Sequence, residues 1–168
     1  LPELDALQQL FAELGHREEA VYVVYDDEGG GWSGRFIWLL DCIGHSRYHY
    51  LNGGWLAWNA EQRPQSQEEP PLGQDELQLT LNDAPTASRE YLQQRLGAND
   101  LAIWDARSAA EFSGAKVLAA RGGHIPGAIN LEWTAGMDTQ RQLRIRQDIG
   151  ALLATHGITA DKEVITHC

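Results

Sequence analysis

Short apolar runs rich in β-branched residues recur along the chain, and each follows a polar turn. The runs are VYVVY (21–25), LAIW (101–104) and VITH (164–167). Such runs are typical of parallel strands that are buried on both faces. Strands that alternate with helices favour parallel sheets joined by right-handed crossovers. The pattern therefore predicts an α/β fold.

Helical spacing is clear before the last of these runs. Apolar residues at i, i+4, i+7 and i+8 predict an amphipathic helix there. They are Ile145, Ile149, Leu152 and Leu153. Gly157 can supply the left-handed stop of this helix, and either Asp138 or Thr139 is its predicted N-cap.

Capping residues predict two further helices in the second half of the chain. Thr86 can cap ASREYLQQRL (87–96), which Gly97 would end. Ser108 and Glu111 have the spacing of a capping box, in which each side chain satisfies an unpaired amide at the other's position. Both helices flank the predicted strand at 101–104.

One segment of the chain repeats. LFAELGHREEAVYVVYD (10–26) lies in ungapped register over LLATHGITADKEVITHC (152–168), and both predict a helix, a glycine stop, a polar turn and an apolar strand. Identical residues meet at Leu10 and Leu152, at Ala12 and Ala154, and at Gly15 and Gly157. In this register Asp26 takes the place of Cys168.

The repeat predicts how the chain is organised. We expect residues 1–60 to be the back half of one copy and residues 86–168 the front half of the next. Residues 61–85 are acidic and hold four of the six prolines, which indicates a linker, with LQLTL (77–81) laid along a domain as an extended segment. We expect two partial sheets, each completed by polypeptide missing at an end of the chain. The alternative is one composite domain that pairs the strands at 21–24 and 102–104.

Composition narrows the classes of function. The formal net charge of −11 repels phosphate backbones and argues against nucleic-acid binding. No apolar run reaches the roughly 20 residues that span a bilayer, so we expect no membrane partner. Two cysteines, Cys42 and Cys168, do not make a disulfide framework, which predicts a reducing cytoplasmic location.

Cys168 ends the last predicted strand. Ligands of open α/β sheets bind at the carboxyl ends of the strands, and a glycine-rich loop and a helix follow the equivalent strand in the first copy. Backbone amides converging at such a loop favour a thiolate, the nucleophilic form of cysteine. The competing interpretation is a small buried hydrophobic residue. Asp26 cannot act as a thiol, so the first copy would be inactive.

Several motifs resemble the rhodanese family. DARSAAEFSG followed by GGHIPGAINLEW resembles the front half of a rhodanese domain, and ITADKEVITHC resembles the approach to its active-site cysteine. VVYDDEGGGWSGRFIWLLDCIGH with YLNGGWLAW resembles the back half of the inactive N-terminal domain of tandem rhodaneses. The resemblance covers nearly the whole chain and is greatest to two-domain bacterial thiosulfate sulfurtransferases.

The resemblance implies tandem rhodanese-like domains, each a parallel sheet flanked by helices and each incomplete here. It implies a ping-pong reaction in which Cys168 takes sulfur from thiosulfate and passes it, as a persulfide, to cyanide, a small thiol or a protein. No metal or organic cofactor is expected, and the protein is expected to be a monomer. The substrate-binding residues would lie in a loop after Cys168, so the chain alone is expected to be inactive.

Structural roles are expected for several other residues. The resemblance implies that Asp105 and Arg107 support the active-site framework. His124 is expected to fasten a turn by hydrogen bonds. His167 should point to the opposite face of the strand from Cys168 because side chains alternate, and a catalytic role is not expected. Cys42 lies at a core position of its helix.

Three alternatives remain. Mercaptopyruvate sulfurtransferases resemble the chain but carry an arginine where this sequence has Glu111, and a carboxylate there would repel mercaptopyruvate. A cysteine-loop phosphatase would need a longer loop after the cysteine. A non-catalytic rhodanese-like binding module would not need Cys168 at all.

Overall fold

The computed structural model describes residues 1–71, 73 and 77–168, which form two compact units. The first unit comprises Leu1–Thr86 and Arg141–Leu143, and the second comprises Ala87–Gln140 and Arg144–Cys168. None of the helices within these ranges is both long enough and apolar enough to cross a bilayer.

Over its described residues, the first unit is built from three helices and two strands. They are α1 (Leu4–Glu13), β1 (Tyr22–Val24), α2 (Gly31–Cys42), β2 (Tyr48–Tyr50) and α3 (Gly54–Ala60). The two strands pair in parallel, with Val23 opposite His49. Both long helices bury apolar side chains beside Val24, which are Leu7, Phe11, Leu39 and Leu40. This packing holds α1 and the last turn of α2 against the end of β1.

The second unit contains a three-stranded parallel sheet and a small antiparallel pair. Its elements are α4 (Arg89–Arg95), β3 (Leu101–Asp105), α5 (Ala109–Ser113), β4 (Ile129–Asn130), β5 (Met137–Asp138), β6 (Arg144–Ile145), α6 (Ile149–Thr155) and β7 (Glu163–His167), with a 3-10 turn at Trp133–Gly136. A second 3-10 turn, Thr139–Arg141, begins in this unit and ends one residue beyond Gln140. β3 lies between β4 and β7, and Asp105 pairs with both Asn130 and His167. The predicted α/β class is confirmed, and β1 and β3 belong to separate sheets, as expected.

The helices α1 and α6 end in the same way. Gly15 and Gly157 both have left-handed backbones, with φ of 66° and 75°. In each case the glycine amide donates to the carbonyl three residues back at 2.9 Å. The next amide donates to the carbonyl five residues back, at 2.9 Å in α1 and 3.0 Å in α6. This Schellman arrangement confirms the predicted glycine stops.

The predicted start of α6 is wrong. The helix begins at Ile149, not after Asp138 or Thr139. Met137–Asp138 pairs antiparallel with Arg144–Ile145, because the intervening residues turn back on themselves. Asp138 Oδ1 accepts the Gln140 amide at 3.0 Å, which stabilises a turn where a helix was predicted.

The capping predictions had mixed outcomes. Ser88, not Thr86, caps α4, and its Oγ accepts the Tyr91 amide at 3.0 Å. The Thr86 hydroxyl instead donates to the Asp83 carbonyl at 2.8 Å, which closes the preceding turn. At α5 both halves of the predicted capping box between Ser108 and Glu111 are present.

The proline-rich segment carries no regular secondary structure over its described residues, and residues 72 and 74–76 of the predicted linker lie outside them. Leu77 and Leu79 pack against the core of the first unit, and the Leu79 amide donates to Gln8 Oε1 at 3.1 Å. The prediction that LQLTL lies along a domain is thus confirmed. The limits of a linker at 61–85 stay a prediction.

Candidate active site

Cys168 directly follows β7 at the carboxyl end of the parallel sheet of the second unit. Its thiol is free and exposed. Parallel pairing places Asp105, at the end of β3, beside His167, the residue before the cysteine. The edge of the sheet predicted to carry the chemistry therefore brings together Asp105, Arg107 and the approach to Cys168.

Asp105 is fully buried and ion-paired with Arg107. Oδ1 accepts the Arg107 backbone amide at 3.0 Å and Nε at 2.9 Å, and Oδ2 accepts Nη2 at 2.5 Å. These bonds hold the pKa of Asp105 below its usual value. Arg107 Nη2 also donates to the Gly123 carbonyl at 3.0 Å, so the pair links the end of β3 to the turn before β4.

His167 contacts the same carboxylate. Its Nε2 lies 3.4 Å from Asp105 Oδ2, and its carbonyl accepts the Ala106 amide at 2.9 Å. The sequence interpretation missed this contact, because it considered only which face of β7 the imidazole takes. Parallel pairing of β3 with β7 sets Asp105 opposite His167, and a prediction of that pairing from the sequence would have placed the two side chains together.

Asn130 holds the backbone that follows β3. Its Nδ2 donates to the Asp105 carbonyl at 3.1 Å and to the Arg107 carbonyl at 2.8 Å. The Leu131 amide donates to the Asp105 carbonyl at 3.2 Å. The ends of β3 and β4 are therefore tied by side-chain and main-chain bonds, which fixes the Asp105 carboxylate in place.

His124 fastens a turn, as predicted. Its Nδ1 lies 2.8 Å from the Phe112 carbonyl, and its ring stacks on the Phe112 ring with centroids 3.7 Å apart. The imidazole thereby joins the end of α5 to the GHIPG turn. Because one ring nitrogen and one ring face are already engaged, the geometry agrees with a structural role.

Glu111 is held by the start of its own helix. Its Oε2 accepts the Ser108 hydroxyl at 2.5 Å and the Ser108 amide at 3.4 Å. The hydroxyl bond is the main cause of a lowered pKa for Glu111, and the charges of Lys116 and Arg107 add to it. The side chain is thus a fixed negative charge at the amino end of α5.

Cys42 is fully buried in α2, as predicted. Burial raises the pKa of its thiol, and the neighbouring Asp41 carboxylate adds to the rise. Both effects disfavour the thiolate that nucleophilic chemistry needs. Cys42 is therefore a core residue, and Cys168 is the exposed thiol of the chain.

The first unit carries the counterpart of this strand end at Asp26, which follows β1 and precedes the loop into α2. Oδ1 accepts the amides of Glu28 at 3.1 Å and Gly30 at 2.8 Å, and Oδ2 accepts that of Ser33 at 2.9 Å. Burial alone would raise the pKa of Asp26, but these bonds outweigh it and hold the pKa below its usual value. The loop thus stabilises a negative charge at the end of its strand.

Comparisons with known proteins agree with this architecture. The family described as Rhodanese-like domain matches residues 1–61 and 88–168. The thiosulfate sulfurtransferase of Azotobacter vinelandii is 66% identical over 167 residues, which are 99% of this chain and 62% of that protein. The one from Pseudomonas aeruginosa is 66% identical over 169 residues, 100% of this chain and 62% of its own length. The chain thus spans about 62% of the length of these relatives.

Superposition on solved structures supports the same fold. SseA from Escherichia coli, a 3-mercaptopyruvate sulfotransferase, superposes with a TM-score of 0.81 at 27% identity, covering 100% of this chain and 63% of that one. YnjE superposes with a TM-score of 0.84 at 19% identity, covering 99% and 43%. The matching family, the similar relatives and the parallel sheets agree, and this chain belongs to the rhodanese family.

Proposed function

We propose that the protein is a thiosulfate sulfurtransferase in which Cys168 carries sulfane sulfur as a persulfide. The observation that carries this proposal is the position of Cys168, an exposed thiol at the carboxyl end of β7. The repeat sets it in register with Asp26, where three loop amides hold a negative charge. The names of the relatives that are 66% identical support the same activity.

The reaction has two steps. In the first, the Cys168 thiolate attacks the sulfane sulfur of thiosulfate, a new S–S bond forms, the S–S bond of thiosulfate breaks, and sulfite leaves with the electron pair. In the second, cyanide, a small thiol or a protein thiol attacks the outer sulfur of the persulfide and regenerates the Cys168 thiolate. With cyanide the product is thiocyanate. Neither step needs a metal ion or an organic cofactor.

The anionic groups of both steps need positive electrostatic potential, which the whole chain does not provide at a net charge of −11. Backbone amides pointing inward provide it locally and need no reorganisation during the reaction. We infer that a loop after Cys168 supplies these amides and the substrate-binding residues. The loop after β1 supports this inference, because it presents three such amides to Asp26.

Asp105 and Arg107 serve as framework in this proposal. Their ion pair ties the end of β3 to the turn before β4, and Asp105 also faces His167. The pair thereby fixes the backbone next to Cys168 without contacting the reacting sulfur. We further propose that residues 1–60 and 86–168 belong to tandem rhodanese-like domains joined by 61–85, in a cytoplasmic monomer.

Thiosulfate is the proposed donor in preference to 3-mercaptopyruvate. Glu111 keeps a negative charge at the amino end of α5, where the resemblance implies an arginine in mercaptopyruvate sulfurtransferases. A carboxylate at that position repels the carboxylate of mercaptopyruvate. Because the similar structure of SseA is that of a 3-mercaptopyruvate sulfotransferase, mercaptopyruvate is the donor to compare with thiosulfate in an assay.

Intact-protein mass spectrometry tests the proposal. Protein that includes the loop inferred after Cys168 should gain the mass of one sulfur atom when it is incubated with thiosulfate and desalted, and cyanide should remove it. The Cys168→Ser variant is the matched control, because it keeps Cys42 and should gain nothing. A gain that persists in Cys168→Ser, or no gain in the unmodified protein, would contradict the proposed carrier.

A further inference from the structure

Two buried hydroxyl groups lie near the Asp26 carboxylate without hydrogen bonds of ordinary geometry. Ser33 is only 2% exposed, and its Oγ has no partner among the described residues, although it is close enough to help lower the pKa of Asp26. The hydroxyl of Tyr50 is also buried without a hydrogen bond of ordinary geometry, although it is close to the Gly53 backbone, and it lies 3.1 Å from the place where a Cβ on Gly30 would stand. Buried polar groups without partners are rare in folded proteins. The cradle of Asp26 therefore contains two buried hydroxyl groups in addition to its three amides.

The shape of the cradle depends on two consecutive glycines. Gly29 and Gly30 have φ of 87° and 106°, which only glycine adopts without strain. This backbone turns the Gly30 amide towards Asp26, and α2, which begins at Gly31, adds the Ser33 amide. The loop is thus built to surround an anion at the end of β1.

An aspartate resembles a cysteine persulfide in this setting. The charged oxygens of aspartate lie two bonds beyond Cβ, and the outer sulfur of a persulfide also lies two bonds beyond Cβ. Each group carries one negative charge. A persulfide at position 26 would therefore bring its outer sulfur to the region where Asp26 Oδ1 and Oδ2 now meet the amides of Gly30 and Ser33.

We propose that the first unit retains a cradle able to carry sulfane sulfur, and that Asp26 occupies it as a fixed stand-in for the persulfide. On this account the inactivity of the first unit is due to one side chain, and the substitution Asp26→Cys creates a second sulfur-carrying site. The proposal rests on the proposed function, because it takes the reaction of Cys168 as its model. The new thiolate would attack the sulfane sulfur of thiosulfate and release sulfite with the electron pair.

Negative charges next to the cradle are expected to lower the rate of sulfur transfer at this latent site. Asp27 and Glu28 are exposed carboxylates next to the cradle, and Glu28 Oε2 accepts the Trp32 indole at 3.0 Å. Their charge opposes the approach of the thiosulfate dianion. Transfer at position 26 should therefore be slower than at Cys168, and slower at low than at high ionic strength.

The test is the double variant Asp26→Cys/Cys168→Ser, treated with thiosulfate and then with cyanide and weighed intact. We expect the double variant to gain one sulfur atom and to lose it to cyanide, whereas Cys168→Ser alone gains none. If the unmodified protein with the loop inferred after Cys168 gains no sulfur, the proposed function fails. If the unmodified protein gains sulfur and the folded double variant does not, the latent site is overturned.

A second variant keeps the proposal testable if Asp26→Cys does not fold. Asp26→Ala/Cys168→Ser removes the resident carboxylate and leaves the amides of Glu28, Gly30 and Ser33 to an external anion. Sulfate, an unreactive dianion, should then raise the thermal unfolding midpoint of this variant more than that of Cys168→Ser. Equal shifts in the two proteins would overturn the proposal.

Discussion

The guanidinium of Arg107 donates to both carboxylate oxygens of Asp105, through Nε to Oδ1 at 2.9 Å and through Nη2 to Oδ2 at 2.5 Å. Asp105 is fully buried, and Oδ2 also faces His167 Nε2 at 3.4 Å. One carboxylate therefore joins the end of β3 to the residue that precedes Cys168. This arrangement fixes the backbone next to Cys168, the sulfur carrier in the proposed function.

Removal of this guanidinium should destabilise the fold. Arg107→Met leaves the buried Asp105 charge without its partner, and we expect a loss of about 3 kcal/mol in the free energy of unfolding. Chemical denaturation measures it. The matched control is Arg89→Met, which removes the ion pair between Arg89 and Glu90. The two side chains are 81% and 62% exposed, so this variant should change the free energy of unfolding by less than about 1 kcal/mol. Similar losses in both variants would contradict the framework role.

The Asp26 cradle predicts a pH dependence of stability. The pKa of Asp26 is lowered on folding, so its stabilising effect is present above the unfolded pKa and is lost as the pH falls through the folded pKa. Asp26→Asn should therefore be less stable than the unmodified protein by about 1–2 kcal/mol at pH 7, since hydrogen bonds to a charged acceptor are lost.

The difference between Asp26→Asn and the unmodified protein should shrink as the pH falls below the ordinary aspartate value. Denaturation curves at neutral and acidic pH measure it. Asp27→Asn, at the exposed neighbouring position, is the control and should show a smaller difference at neutral pH. A difference that grows on acidification would show that the amides do not favour the charged carboxylate.

Gly150, in the first turn of α6, and Gly157, just after its last turn, should respond in opposite directions to alanine. Gly157 has φ of 75°, so Gly157→Ala should cost about 1 kcal/mol. Gly150 lies inside α6, and a Cβ there meets nothing within 4 Å, so Gly150→Ala should stabilise by about 0.5–1 kcal/mol. Thermal unfolding of both variants measures the contrast. Stabilisation by Gly157→Ala would contradict the Schellman stop.

Glu111 should influence the choice of sulfur donor. Glu111→Arg places a cation where the carboxylate now lies and should raise the ratio of mercaptopyruvate to thiosulfate turnover about tenfold, since a charge-assisted hydrogen bond to a carboxylate contributes about 1.5–3 kcal/mol. Glu111→Gln is the control, because glutamine preserves the capping box with Ser108 but removes the charge. An unchanged ratio in Glu111→Arg would place the side chain outside the donor site.

Local signals predicted much of the fold. The strands at 22–24 and 101–105, the stops at Gly15 and Gly157 and the capping box at Ser108 depend on neighbours within a few residues, so the sequence shows them directly. The start of α6 does not depend on near neighbours alone. Helical spacing continued through Ile145, but pairing of Arg144–Ile145 with Met137–Asp138 prevailed over that local preference.

In the candidate site, too, local features were predicted from the sequence and a contact between distant residues was not. The sequence predicted a glycine-rich loop and a helix after the first strand, and β1 is indeed followed by a loop with Gly29 and Gly30 and by α2. The three bonds to Asp26 from this segment were not predicted. The contact between His167 and Asp105 joins residues far apart in the chain and depends on the pairing of β3 with β7. Alternation along one strand carries no information about a neighbouring strand, so this contact could not be read from the local pattern.

The most direct test of the central claim is the thiosulfate:cyanide sulfurtransferase activity, before and after Cys168→Ser, of the protein that includes the loop inferred after Cys168. We predict measurable thiocyanate formation by the unmodified protein and none above background by the variant, because a hydroxyl does not form a persulfide. Cys42→Ser is the matched control and should keep the activity, since Cys42 is buried in α2. Activity that survives Cys168→Ser would contradict the account.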